Sequence, residues 1–530
     1  MKNIVLLTIN AKYIHSSLSV WYIAEGISRY SRFSYNVSVV EATKNQKCDV
    51  ILSMVEKHNP DVIGISTYIW NAGILPDLLQ LLKSNLPDAI IVMGGPEASN
   101  NADFWLENNA DHVLGGEGEY VFPKFLDSLF NENEHDKNEN TENQNDIIDP
   151  YSETYLNALN GRLSYIETSR GCPFKCSFCL SAKSDVKYFP LVSVKAQIFK
   201  LSQADTRTVK FVDRTFNCNK KRAFEIFEYV IGLNTACTFH FEVAADLFDE
   251  KTLLLLGSAP PGRIQFEIGI QSFFTPALDA VSRKTDIDKA EQNIKTLLGY
   301  QNIHIHIDLI AGLPYETLSE FINSFNRAYL IYAHNLQLGF LKVLHGSVLK
   351  EQADKYNLVY SNDSPYEIIK SPWLSTEDIV VLKSVENSLQ HTYNKGRFLS
   401  ALNYLLMTTS KNPFNLFLFL GKNVPNHGIQ LENYITLLYE KCKTLPGVDA
   451  DDLADCLIYD WLTMVKGKNT PAFLKNDSPN RKLLANTAEI KLNRKLKREE
   501  YAVLRSGAGI FVDCNDCDPV TGLYKVYVCR

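Results

Sequence analysis

Ser169-Arg170-Gly171-Cys172-Pro173-Phe174-Lys175-Cys176-Ser177-Phe178-Cys179 sets the frame for reading this chain. Three thiolates spaced x3 then x2 on a glycine-led loop can reach three corners of one iron–sulfur cubane. Such clusters are usually held by four cysteines, so a set of three leaves one iron for a small molecule. Two plainer alternatives stay open at this point: unrelated buried cysteines, or part of a zinc site whose fourth ligand is distant. The run just before the loop, Leu163 to Thr168, reads as a strand. Five more strand-like runs follow: Val209 to Val212, Thr238 to Val243, Ile264 to Ile270, Ile303 to Ile310 and Gln337 to Val343. Parallel strands joined by crossover helices build a barrel or part of one. Active groups then lie on loops at the carboxyl ends of the strands, where the cysteine loop falls.

The other strand ends carry polar residues. Asp213 and Arg214 follow the second, and Glu242 lies in the third. Glu267 and Gln271 lie in Phe266-Glu267-Ile268-Gly269-Ile270-Gln271-Ser272, and Asp308 opens Asp308-Leu309-Ile310-Ala311-Gly312-Leu313-Pro314. Charged residues within strands are costly unless paired or functional. His304 and His306 alternate with isoleucines and so share one face; a structural role is favoured over a shared metal. Lys342 and His345, near the sixth strand end, are candidates for the substrate side.

Residues 1–130 alternate strand and helix. Ile4 to Ile9, Asp61 to Ser66 and Ala89 to Gly94 read as buried strands of a parallel sheet with helices on both faces. Ligands of such sheets bind beyond the carboxyl ends of the strands. Those ends carry Ser66-Thr67-Tyr68-Ile69-Trp70-Asn71, Gly94-Gly95-Pro96-Glu97 and Gly116-Glu117-Gly118-Glu119. His15, after the first strand, reads as an ordinary loop histidine before it reads as a ligand contact.

Composition points to a reducing compartment. The chain has 530 residues, 45% hydrophobic, enough for about three domains. Eleven cysteines make an odd count with no framework pattern, which argues against a secreted disulfide scaffold. No signal-peptide pattern and no apolar stretch long enough to span a bilayer is present, so a cytoplasmic location without membrane contact is expected. A net charge of −7 gives no footprint for general nucleic-acid binding. DNA is not expected, and the basic stretch Arg481 to Arg498 leaves an RNA substrate open but not favoured.

Residues 131–154 form an Asn/Glu-rich linker, expected to be disordered because it has too little apolar surface to offset ordering entropy. Residues 155–355 are the barrel and 356–530 a mostly α-helical C-terminal domain. There Ser375 starts a helix with Asp378 in the capping-box position, and Gly396 closes it. Cys514, Cys517 and Cys529 near the end read as free thiols before a metal or redox site.

The cysteine spacing, with an aromatic residue just before Cys179, resembles the signature of the radical S-adenosylmethionine (SAM) superfamily. The strand-end loops of residues 1–130 resemble the cobalamin-binding domain that precedes many such barrels. The C-terminal region resembles the uncharacterised helical domain of one subgroup. One departure stands out: no Asp-x-His-x-x-Gly motif is present, and Asp111-His112-Val113-Leu114-Gly115 has the wrong spacing.

The resemblance implies an α/β chain with a flavodoxin/Rossmann-like cobalamin-binding domain, a partial (β/α)6 barrel and a helical C-terminal domain. It implies a 4Fe-4S cluster on Cys172, Cys176 and Cys179, with SAM on the open iron. Phe178, Asp213, Glu242, Glu267, Gln271, Arg283 and Leu309 would serve SAM, with the backbone near Phe178 at the adenine and Arg283 at the carboxylate. Cobalamin would meet Ser66, Tyr68, Trp70, Asn71, Gly94, Gly95, Pro96, Glu97, Glu117, Gly118 and Glu119. The implied activity is reductive cleavage of SAM to a 5′-deoxyadenosyl radical, with C-methylation of an unactivated carbon as the commonest outcome. A flavodoxin- or ferredoxin-like protein would supply electrons. Non-methylating rearrangement, cyclisation or oxidation, and a cobalamin or redox sensor, are the alternatives.

Overall fold

The computed structural model describes residues 1–130, 147–183, 185–422, 424, 429–464, 469–476 and 481–529. Most of the expected linker, 131–146, lies outside them. The chain divides into two compact units. The first comprises Met1–Val243, Val281–Lys284 and Leu341–Ile369; the second comprises Ala244–Ala280, Thr285–Phe340 and Lys370–Arg530.

The first unit opens with strands β1 (Lys2–Asn10), β2 (Tyr35–Thr43), β3 (Val62–Ser66), β4 (Ile90–Gly94) and β5 (His112–Leu114). They pair in parallel in the order β2-β1-β3-β4-β5. Ile4 through Asn10 are all buried, because a central parallel strand is covered by helices on both faces. The helix Leu75–Asn85 shows how: Leu75, Leu78, Leu79 and Leu82 fall on one side and join Leu7, Ile63, Ile65 and Met93 in the core. This is a flavodoxin-like order, in the expected fold class, and β2 and β5 are strands that the sequence reading did not mark. Its switch point lies between β1 and β3, where doubly wound sheets bind ligands.

The same unit holds β6 (Ser164–Ile166), β7 (Thr208–Phe211) and β8 (Thr238–Val243), also parallel. Ile148 and Tyr151 are buried just before the helix Glu153–Leu159, whose N-cap Ser152 accepts from Tyr155 N.

The second unit contains β9 (Ile264–Gln271), β10 (Ile303–Ala311) and β11 (Asn335–Phe340), paired in parallel. Along β9 and β10 every second residue is buried, and the residues between carry the polar groups. The C-terminal region is mostly helical, as expected. Thr376–His391 starts at Ser375, whose hydroxyl accepts from Asp378 N while Asp378 accepts from Ser375 N at 2.9 Å. Gly396 is left-handed, as a closing glycine should be, but it follows a short 3-10 turn, Tyr393–Lys395, beyond the helix end.

Buried Asp460, in the helix Ala450–Met464, accepts from Ser400 N and Ala401 N at 3.0 and 2.9 Å. It thereby satisfies the start of the helix Leu399–Thr408. The chain ends in an antiparallel sheet of β12 (Tyr501–Val503), β13 (Gly509–Cys517) and β14 (Tyr524–Cys529). Cys529 is buried in its core and Cys517 is exposed. No helix among the described residues is long and apolar enough to cross a membrane.

Candidate functional site

The cysteine loop follows β6 and turns at Gly171, whose φ of 90° is in the region that favours glycine. Three backbone bonds fix it: Cys179 N to Cys176 O, Ser177 N to Val281 O, and Leu349 N to Ser177 O, at 3.0, 2.9 and 2.8 Å. Cys176 is buried; Cys172 and Cys179 are half-buried. Thr215 Oγ1 lies 3.6 Å from Cys172 Sγ, and Arg283 Nη1 donates to Cys176 Sγ at 3.7 Å. Burial pushes the Cys176 thiol up, and the Arg283 guanidinium opposes that shift. The cysteines and Arg283 thus form a thiol set with a cation at its edge. Phe178 is half-buried between the second and third cysteines.

Asp213, expected to serve SAM, has another task among the described residues. Its carboxylate is buried and accepts from Thr168 N, Thr168 Oγ1 and Ser169 Oγ at 3.0, 2.7 and 2.5 Å. These bonds brace the entrance to the cysteine loop from the end of β7.

Glu117 and Glu119 likewise meet a protein group. Arg170 engages Glu117 at 2.8 Å, Glu119 at 2.6 Å and Glu167 at 2.9 Å. An exposed guanidinium and carboxylate would gain little from meeting, but here Glu119 is buried and the fork is shared. Sequence reading placed both carboxylates on a cofactor because the cation that meets them lies about fifty positions away.

At the end of β3, Asn71 is fully buried: it accepts from Tyr68 N at 2.8 Å and donates to Ser66 O at 2.9 Å and Ile9 O at 3.3 Å. It holds the loop rather than presenting a free amide. Ser66 Oγ meets Ser19 Oγ at 2.7 Å. Tyr68 and Trp70 stack at 4.3 Å with an 8° interplanar angle, and Trp70 is 45% exposed. These rings offer a flat apolar surface at the switch point. At the end of β4, Gly95 has φ 98°, and a Cβ there would meet Thr67 O at 2.6 Å; Gly94 has room. Pro96 begins the short helix Pro96–Ser99. Glu97 is buried and accepts from Tyr366 Oη, so its carboxyl, pushed up by burial, faces this hydroxyl. Gly118 packs on Ile23.

Lys342 forms an isolated bridge with Glu367, and His345 lies edge-on to Tyr366 at 4.7 Å. Burial and Lys350 lower the pKa of His345, so its imidazole is neutral at pH 7. His15 Nδ1 lies 2.6 Å from Tyr165 Oη, so its ring has a protein partner. Glu242 lies 3.9 Å from Lys210 on the neighbouring strand.

In the second unit, Glu267, His306 and Asp308 bring one ligating atom each within 4.8 Å of one another, with His306 Nε2 and Asp308 Oδ1 3.0 Å apart. One nitrogen and two carboxylate oxygens can meet a hard cation or a polar substrate group. His304 does not join them; it stacks on His334 at 4.9 Å. Leu309 is a core residue, so only its backbone is available to a ligand. Gln271 has φ 72°, and its buried Oε1 accepts no hydrogen bond among the described residues. Gln271 thus combines a strained backbone with an orphaned acceptor.

Sequence reading missed the support beneath Gln271. Glu316 is buried, accepts from Ser272 Oγ at 2.5 Å and Ser324 Oγ at 3.1 Å, and has its pKa pushed up to about 7 by burial. It stands just past the run that ends at Pro314, where no local pattern marked it.

Comparison with known families accounts for most of this architecture. Residues 4–126 match the B12 binding domain, 166–328 the Radical SAM superfamily, and 354–504 a family described as a protein of unknown function (DUF4080). An uncharacterized methyltransferase of Pyrococcus horikoshii is 26% identical over 51% of this chain and 64% of its own length. The cobalamin-dependent radical SAM methyltransferase TokK of Streptomyces tokunonensis is 24% identical over 49% of this chain and 44% of its own. The chain therefore spans about half the length of these relatives. Among solved structures, the cobalamin-dependent SAM radical enzyme OxsB shares the fold, with a TM-score of 0.59 at 13% identity over 94% of this chain and 82% of that one.

The chain is a cobalamin-binding radical SAM protein. Within that class it belongs to the subgroup that carries a DUF4080 domain at its C-terminal side. Its domains take cobalamin, SAM and a 4Fe-4S cluster as cofactors. The residues present fit that set: three thiols stand on one loop with a guanidinium beside them.

Proposed function

We propose that this protein is a cobalamin-dependent radical SAM methyltransferase acting on an unactivated carbon. When bound, the cluster and SAM supply a 5′-deoxyadenosyl radical and cobalamin supplies the methyl group; the protein contributes binding and orientation. Cys172, Cys176 and Cys179 would hold the cluster, with Arg283 beside Cys176 placed to meet the SAM carboxylate. Gln271 would offer its orphaned Oε1 to a SAM hydroxyl or ammonium, and Glu316 would keep it in place through Ser272. Tyr68, Trp70, Gly94, Gly95 and Pro96 would line the corrin, with Gly95 letting the end of β4 lie close against the Thr67 backbone. Glu242 and Glu267 would each serve SAM, and Lys342 and His345 would be the substrate-side groups. A flavodoxin- or ferredoxin-like donor would reduce the cluster.

The observation that carries this reading is the thiol set with Arg283 against Cys176. The test is anaerobic reconstitution with iron, sulfide and hydroxocobalamin, then addition of SAM and dithionite. Both 5′-deoxyadenosine and S-adenosylhomocysteine should form, and both should vanish in Cys176→Ala. 5′-Deoxyadenosine without S-adenosylhomocysteine, in the presence of turned-over substrate, would instead select the non-methylating chemistry.

A further inference from the structure

Arg170 stands two residues before the first cysteine of the cluster loop, and its side chain is spent on the loop after β5. Its guanidinium meets Glu117 at 2.8 Å, Glu119 at 2.6 Å and Glu167 at 2.9 Å. Tyr22 and Phe189 approach it at 5.4 and 5.5 Å. Both ends of this junction are stiff. The Arg170 backbone pairs with Lys187 in a two-stranded ribbon. On the other side, a Cβ on Gly26 would lie 2.2 Å from Glu119 O, so the helix beginning at Gly118 is pressed against the helix Ser19–Tyr30. A shift of the cysteine loop cannot leave Glu117 and Glu119 where they are, because one rigid guanidinium fork holds both.

We propose that Arg170 is a positioning residue that couples the two cofactor sites, so that loading the cluster tightens cobalamin binding and the reverse. This rests on the placement of cobalamin at the loops after β3, β4 and β5 and of the cluster at the three cysteines. Cluster assembly would fix the three thiols relative to one another, and the Arg170 fork would hold residues 115–119 in the matching position, so the cost of that adjustment is not met a second time. Linkage makes the effect reciprocal. A guanidinium is suited to the task because it binds several carboxylates at fixed angles, which a lysine ammonium does not.

The test uses the full chain and the hydroxocobalamin dissociation constant, measured by equilibrium dialysis on cluster-loaded and chelator-stripped protein. In the wild type, cluster loading should tighten binding about tenfold, within the usual range for coupled sites. In Arg170→Gln that ratio should fall to about one in protein whose cluster is reconstituted at saturation, and Arg170→Lys should restore part of it. Glu117→Gln, at a carboxylate side chain 38% exposed, is the gentler variant should Arg170→Gln fail to fold, and it too should lower the ratio. A merely structural arginine would change melting temperature and leave the ratio alone. Equal affinities in the two wild-type forms, or an undiminished ratio in the folded variants, would overturn the coupling and leave the placement standing. Cys176→Ala that still assembles the cluster, or Gly95→Val that binds hydroxocobalamin as before, would overturn the placement and the coupling with it.

Discussion

Strands β1 and β10 are both nine residues long and both lie in parallel sheets, yet they use their residues differently. From Ile4 to Asn10 every β1 side chain is buried. In β10, Ile303, Ile305, Ile307, Leu309 and Ala311 are buried, while His304, His306, Asp308 and Ile310 between them are half-buried. A strand covered on both faces has no room for chemistry, so the first sheet must place it on the loops at the strand ends. A strand with one polar face can carry chemistry along its length. The difference states which substitutions should cost stability and which should cost turnover.

Adjacent positions provide the strongest way to break this comparison. Leu6→Ala and Leu7→Ala, at 1% and 0% exposure, should each lower stability by about 2–5 kcal/mol. On β10 the same neighbour pair should split: Ile307→Ala, at 0% exposure, costs as much, and His306→Ala about 1 kcal/mol or less. Chemical denaturation of the four variants decides it. A Leu6–Leu7 gap as wide as the Ile307–His306 gap would refute the distinction.

The polar side of the second unit also titrates, and Glu316 is where it should show. Its pKa is raised from 4.5 to about 7, so the folded state keeps a proton that the unfolded state releases. The stability it contributes is complete below about pH 4.5 and is lost as pH rises to about 7. A span of about 2.5 pH units corresponds to at most about 3 kcal/mol. Glu316→Gln keeps acceptors for Ser272 and Ser324 without this loss. The variant should therefore gain on the wild type as pH rises from 5 to 8. Parallel stability curves across that range would count against a protonated Glu316.

The fold was legible where the pattern is local. Continuous apolar runs announced β1, β3 and β4, the Ile/His alternation announced the two faces of β10, and Ser375 with Asp378 announced a helix start. The site was less legible, because its supports are pairs distant in sequence. Asp213 braces Thr168 and Ser169, Arg170 gathers Glu117 and Glu119, and Tyr366 donates to Glu97. Each of these carboxylates looked free beside a presumed cofactor. A charge at a strand end signals a cost to be met, and the residue that meets it leaves no mark nearby.

The strand-end loops of the first sheet offer a finer contrast. Gly95→Ala forces a side chain into φ 98° and against Thr67 O, whereas Gly94→Ala meets only an ordinary contact at 3.6 Å. The first should cost at least about 1–2 kcal/mol and weaken hydroxocobalamin binding; the second should stay within about 1 kcal/mol. Matching losses at both positions would show that the loop tolerates or refuses any side chain alike, with no special demand at Gly95.

The smallest effect on stability is expected where the effect on chemistry is large. Glu267 sits opposite His306 in the register of β9 and β10, on the half-buried face that carries the polar groups. Glu267→Gln keeps size and shape, so stability should move by no more than about 0.5 kcal/mol. The lost carboxylate takes with it a charged hydrogen-bond acceptor, a change of about 1.5–3 kcal/mol when the partner is a ligand. The yield of 5′-deoxyadenosine should then fall by about tenfold or more. A variant that is equally stable and equally active would show that the polar face of β9 plays no part in turnover. In that case alternation alone, without a strand-end loop behind it, would not mark a site.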